Sequence, residues 1–156
     1  MPKYCVAERA FRAMMENTDD FIFFKDRNHV FTGASQTLVS LTAPVEHWTD
    51  LLGKTDYDVF PEAYADIYYA LEKQVFAGAT VAHDVQKTLS RDGKKGWVDN
   101  RKYPIHNANG EIIGLFGIAR DVTESKRVAE ELDRTQKFSK LLIDKLPGIF
   151  YLYTYP

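Results

Sequence analysis

Gly53-Lys54-Thr55 raises the first chemical question, because this tripeptide closes phosphate-cradling loops in nucleotide-binding proteins. Such a loop needs a glycine five residues before the Gly-Lys pair, set between a strand and a helix, so that backbone N–H groups converge on a phosphate. Trp48 stands at that position, and Pro61 discourages helix at Phe60 before it can open a helix itself. Nucleotide binding is not expected here. His29, His47, His83 and His106 show no metal-ligand spacing, and Cys5 has no second cysteine with which to share a metal or a disulfide. No serine lies beside a histidine and an acid in a nucleophile motif. Asp56 and Asp58 flank Tyr57 in a turn, where helix capping is expected rather than acid–base catalysis.

A polar constellation emerges once strands are aligned. Asn109-Gly110 is a strong hairpin signal, since both central positions of the tightest turn favour positive φ. A two-residue turn there pairs Pro104 with Leu115, Lys102 with Gly117 and Asn100 with Ala119 on one face. It pairs Tyr103 with Phe116, Arg101 with Ile118 and Asp99 with Arg120 on the other. In the preceding hairpin, a three-residue loop Asp92-Gly93-Lys94 sets Asp84 opposite Lys102 and Gln86 opposite Asn100; a two-residue loop would set Asp84 opposite Arg101. In the first register Asp84, Gln86, Thr88, Asn100 and Lys102 line one surface beneath a helix bearing Tyr64 and Tyr68, and Gly117 and Ala119 leave space there. Two occupants suit it: an Asp84–Lys102 ion pair with a few waters, or a small polar or anionic ligand held by Lys102, Asn100 and the tyrosines. The opposite face carries Trp97, Tyr103, Phe116, Ile118 and Val122 and needs a cover, from the amphipathic helix 5–16, from a partner chain, or from both.

The elements that position these groups follow from periodicity. Val6, Ala10, Ala13 and Met14 mark the first helix, "FIFFK" and "HVFT" a strand pair, and "ASQTLVSL" a short helix. "PEAYADIYYALEKQVF", residues 61–76, is a helix opened by proline and closed before Gly78. Three β runs follow, then a polar helix from Thr123 to Leu146 on which Val128, Leu132, Thr135, Ser139, Leu142 and Leu146 alternate by four and three. That seam suits either a solvated helix or a dimer-forming one. The 156 residues hold 20 Lys+Arg against 22 Asp+Glu, a formal charge of −2 that gives no electrostatic case for nucleic acid. No apolar run approaches a membrane span and the amino terminus is no signal peptide, so a cytoplasmic location is expected.

"FFKDRNHVF", "LLGKTDYDVFP", "RDGKKGW" and "RKYPIHNANGEIIGLFGIARDVTE", in this order, resemble the successive motifs of the bacterial PAS sensory domain, over about residues 8–125. The resemblance implies an α+β fold: a five-stranded antiparallel sheet with helices over one face, enclosing a ligand pocket or a filled core. It makes Gly53–Asp56 the bend into the long helix, with Tyr57, Val59 and Phe60 plugging the core, and Ser35 stands where many relatives carry asparagine. It divides the chain into a flanking helix (1–19), the sensory domain (20–122), a linker helix (123–146) and the start of a truncated second domain (147–156). The expected role is a non-enzymatic sensor or signal-transduction module that binds a small ligand and acts through its C-terminal helix on a histidine kinase or diguanylate cyclase output domain. The alternative is a ligand-free dimerisation and relay module. A homodimer through the flanking helices and outer sheet face is expected, with no metal site and no cofactor. Haem-binding relatives supply a histidine from the long helix, and flavin photoreceptors a cysteine in the core; neither is present at those places. The purified protein is therefore predicted to show no haem Soret band and no flavin band near ~450 nm in its absorption spectrum, and either band would overturn the cofactor expectation.

Overall fold

A computed structural model describes residues 3–42 and 44–145 of the chain. A helix α1 (Lys3–Asn17) leads into the strands β1 (Phe21–Asp26) and β2 (Phe31–Ala34). Two short 3-10 helices (Gln36–Leu41 and Trp48–Leu51), a four-residue helix α2 (Asp56–Val59) and the long α3 (Glu62–Phe76) follow. Strands β3 (Ala82–Leu89), β4 (Lys95–His106) and β5 (Ile112–Asp121) complete an antiparallel sheet of order β2-β1-β5-β4-β3, with β1 and β5 central partners. Helix α4 (Thr123–Lys145) forms a unit of its own. The expected α+β class and five-stranded sheet are those observed; the expected strand in 147–154 lies outside the described residues.

The sheet has one packed face. Phe21, Phe23, Val98, Leu115 and Ala119 point into a core shared with Phe31, Leu38, Leu51, Val59, Leu71 and Val75. The other face carries a row of rings: Phe11 of α1 meets Phe24 at 5.4 Å, Phe24 stacks on Phe116 at 6.0 Å, and Phe116 on Tyr103 at 5.1 Å. Helix α1 thus covers the β1 end of that face. Trp97 is instead half-buried with the Lys87 ammonium 5.6 Å above its ring, and Ile118 is exposed.

The β4–β5 register is the expected one, from Asp99↔Arg120 to Pro104↔Leu115, but the turn is not. Asn107 Oδ1 accepts from the N–H groups of Asn109 and Glu111 (2.9 and 3.0 Å), and only Gly110 has positive φ, at 80°. The loop is one residue longer than a two-residue turn, and a bulge between Ile105 and His106 restores the register.

The β3–β4 hairpin corrects a second expectation. Its loop is three residues with Gly93 left-handed at φ 86°, but it is closed by Ser90 and Lys94, which places the loop at Arg91-Asp92-Gly93. Ser90 Oγ accepts the Lys94 N–H at 3.0 Å and fixes that closing pair. Shifting a loop by one residue shifts pairing by two, so the facing of each side chain survives while every partner changes. Asp84 lies opposite Asn100, and Gln86 opposite Val98.

The bend at 53–56 is tied into the sheet edge: the Phe31 N–H donates to the Lys54 carbonyl and the Gly53 N–H to the Phe31 carbonyl, at 2.9 and 3.1 Å. Asp58 accepts the Thr55 N–H at 2.8 Å as a cap, whereas Asp56 turns inward and Tyr57, expected in the core, is 46% exposed. Fully buried Ser35 is a further clasp. Its Oγ accepts the Ile22 N–H at 2.9 Å and donates to the Asp20 carbonyl at 3.0 Å. Ser35→Ala leaves that buried N–H unpaired and is predicted to cost about 1–3 kcal/mol in urea unfolding, with faster hydrogen exchange at Ile22.

Candidate functional site

Four elements each send one charged side chain into the core. Lys25 (β1), Asp56 (α2), Glu72 (α3) and Lys102 (β4) are 2%, 6%, 0% and 1% exposed. Alternation along β1 points Phe21, Phe23 and Lys25 the same way, and Glu72 lies on the inward stripe of α3 with Ala65, Tyr68 and Val75. The Lys25 ammonium donates to Asp56 Oδ2 at 2.6 Å and to both oxygens of Glu72. Lys102 Nζ lies 3.4 Å from Glu72 Oε1 and donates to the Tyr68 carbonyl at 3.2 Å. His29 Nδ1 reaches Glu72 Oε2 at 3.2 Å from a half-exposed turn. Both ammoniums also lie against aromatic faces, Lys25 4.5 Å from the Phe31 ring centre and Lys102 5.0 Å from that of Phe23.

The four groups share their charge unevenly. Burial opposes the charge on Glu72, but the Lys25 and Lys102 ammoniums outweigh it and hold its carboxyl well below the usual range. Burial also opposes the charge on Lys25, and there the adjacent Asp56 and Glu72 carboxylates win and raise its pKa. Lys102 has the weaker carboxylate contact, and burial lowers it to about 8. For Asp56 burial prevails over Lys25 and pushes the carboxyl up, so in acid it takes a proton before Glu72 does.

Beside this cluster lies a cavity of about 30 Å³, lined by Phe21, Leu38, Leu41, Phe60 and Val98 and by the polar groups of Lys25, Asp56, Tyr68, Thr88, Asn100 and Lys102. That is space for about two waters. Asn100 Nδ2 donates to Gln86 Oε1 at 2.9 Å, and Gln86 Nε2 reaches the Ile67 carbonyl at 3.4 Å. The Tyr68 hydroxyl donates to the Lys87 carbonyl at 2.9 Å, and burial raises its pKa strongly.

Of the residues singled out from sequence, Tyr68, Thr88, Asn100 and Lys102 therefore line the cavity, and Gln86 stands behind Asn100. Asp84 is exposed and does not partner Lys102; that role belongs to Glu72. Tyr64 lies outside with Lys87, Lys95 and Trp97 around a shallow surface hollow. Gly117 leaves no free space, because the Phe23 ring fills the volume a Cβ would take. Lys25, Asp56 and Glu72 were missed. The signal for Glu72 was its place on the stripe 65, 68, 72, 75, and for Lys25 its even spacing from Phe21 and Phe23.

Glu72→Gln leaves Lys102 without a carboxylate and is predicted to cost about 3–5 kcal/mol at neutral pH, whereas Glu72→Leu combined with Lys102→Met restores most of that loss. The pH dependence has a defined sign. Because the folded Glu72 carboxyl is held below the ordinary 4.5, its contribution is present above that pH and is lost as pH falls below it. Asp56, pushed up, acts in the opposite sense. The difference in unfolding free energy between wild type and Glu72→Gln is therefore expected to shrink in acid, as read from urea titrations across the pH range.

The family model described as PAS fold matches residues 15–127, well over half of the chain. The aerobic respiration control sensor protein ArcB of Escherichia coli is 30% identical over 132 residues, spanning 81% of this chain and 16% of ArcB. A diguanylate cyclase of Vibrio cholerae is 30% identical over 114 residues, spanning 72% of this chain and 35% of the cyclase. The chain thus spans a minor part of either relative. Among solved structures, a PAS domain from Colwellia psychrerythraea superimposes with a TM-score of 0.61 at 18% identity, over 77% of this chain and 98% of that one. VqmA bound to DPO gives 0.63 at 20% identity, over 74% and 57%. With the sheet order and the enclosed core already in place, these matches make the chain a member of the PAS family.

Proposed function

We infer that this chain is the sensory module of a larger signalling protein: it binds a small ligand in the core cavity and passes the change to an output domain through α4. The observation that carries the reading is the coupling of cavity to helix. Asn100 and Lys102 line the cavity, and the two adjacent α3 carbonyls of Ile67 and Tyr68 are bonded by Gln86 and Lys102. Occupancy of the cavity bears directly on where α3 sits against the sheet. VqmA, similar in fold, is bound to DPO in its own structure.

The module carries no reaction of its own in this reading. Among the described residues there is no cluster of three or more potential metal-ligating side chains, and no helix is long and apolar enough to cross a membrane. The output is a kinase or cyclase activity of the kind found in the relatives, acting in the cytoplasm, and neither haem nor flavin takes part. Helix α4 supports a homodimer: Val128, Leu132 and Leu142 are exposed along one seam with Thr135 and Ser139, an apolar stripe suited to a second copy. The outer sheet face, with Ile118 exposed, is the second surface for that dimer.

A ligand-free relay module is favoured by one observation, the small size of the cavity beside a core filled by Phe23. Mass spectrometry of the denatured, purified protein separates the two. A small molecule released by the wild type and absent from Asn100→Leu preparations is the expected result. Its absence from both, with only protein in the spectrum, would leave the relay reading standing.

A further inference from the structure

The chemistry of the ligand can be narrowed from a buried polar atom of a cavity-lining side chain that has no hydrogen-bond partner among the described residues. Among the described residues Asn100 Oδ1 is buried without a hydrogen-bond partner, and Asn100 is 4% exposed. The orientation of its amide follows from the bonds behind it. The Ile67 carbonyl can only accept, so Gln86 turns its NH2 group to it and leaves Oε1 to accept from Asn100 Nδ2. The remaining atom of the amide is then an acceptor. A buried acceptor of this kind is costly unless something donates to it.

The charge of the ligand is limited by the neighbouring side chains. Lys25 and Lys102 bring two formal positive charges, Asp56 and Glu72 two negative ones, and each ammonium already has a carboxylate within 3.4 Å. An anion would enter a site whose cations are already engaged, and a cation one whose carboxylates are. Either would leave a desolvated charge without a counter-charge. The rest of the wall is apolar: Phe21, Leu38, Leu41, Phe60 and Val98.

Resting on the ligand-binding reading above, we propose that the cavity takes an uncharged, compact, largely apolar molecule bearing one hydrogen-bond donor, which it places on Asn100 Oδ1. The donor relieves the unpaired carbonyl, and through Gln86 the same amide is joined to α3 at Ile67. Recognition and the link to the helix thus meet in one side chain.

Three probes of nearly equal shape test this on the full chain: acetamide, which is neutral and donates; acetone, which is neutral and does not; and acetate, which is charged. Each is titrated at neutral pH while the Asn100 side-chain amide and the Thr88 and Val98 methyl resonances are followed by NMR. Acetamide is expected to shift these resonances saturably and to bind at least tenfold more tightly than the other two. In Asn100→Leu its affinity should fall to that of acetone. The probe comparison in the wild type stands by itself if that variant fails to fold. Equal binding of acetone and acetamide, or preference for acetate, overturns the proposal while leaving a ligand-binding cavity in place. Failure of all three to reach the core resonances overturns the ligand-binding reading along with it.

Discussion

Four charges enclosed in an apolar core set the terms for everything around them. Lys25, Asp56, Glu72 and Lys102 come from β1, α2, α3 and β4, which are far apart in sequence and meet at one point. None can shift by one residue without putting a neutral side chain or one of the wrong charge or length in its place and stranding its partners. Desolvating four ions gains little stability over a greasy core of the same volume. What it fixes is arrangement. Glu72 orients α3 towards Lys25 and Lys102, Asp56 holds the short α2 against β1, and the cavity is the space these constraints leave beside the Phe23 ring.

How much of this was legible in the sequence depended on the kind of signal. The pairs from Asp99–Arg120 to Pro104–Leu115 were read from a two-residue turn that is one residue too short, and they hold because the bulge between Ile105 and His106 absorbs the extra residue and keeps Leu115 inside and Arg101 outside. The hairpin loops were less readable, because their closing pairs are chosen by side-chain bonds to backbone. Ser90 and Asn107 each accept N–H groups across the loop, and each loop ends in a left-handed glycine three residues on. Ser-Arg-Asp-Gly and Asn-Ala-Asn-Gly are the same device, visible only when set side by side. For Asp84, one residue of loop placement moved it from opposite Lys102 to opposite Asn100, where it is exposed, and put Ala82 opposite Lys102.

The candidate site was half legible for a related reason. Asn100, Lys102, Thr88 and Tyr68 stood out because polar residues on an inward face are unusual. Lys25, Asp56 and Glu72 did not, since a charged residue is ordinarily read as a solvated one. The apolar wall was invisible as a wall, because Leu38, Leu41 and Phe60 look like any core residues until a space appears between them. Cavities are deficits of packing, and a sequence does not record deficits.

Gly117 and Phe23 show how such a deficit can be moved. The ring of Phe23 lies where a side chain at 117 would begin, across the β1–β5 ladder in which the two residues face each other. The volume at these positions is a sum shared by two strands, divided here with all of it on one side. A chain that divided it otherwise, with a smaller residue at 23 and a side chain at 117, would keep the backbone, the ion cluster and the strand order, yet open its hollow at a different height above the sheet. The interior shape is in this sense interchangeable currency between neighbouring strands, and a single scaffold can present differently contoured chambers without altering its outline.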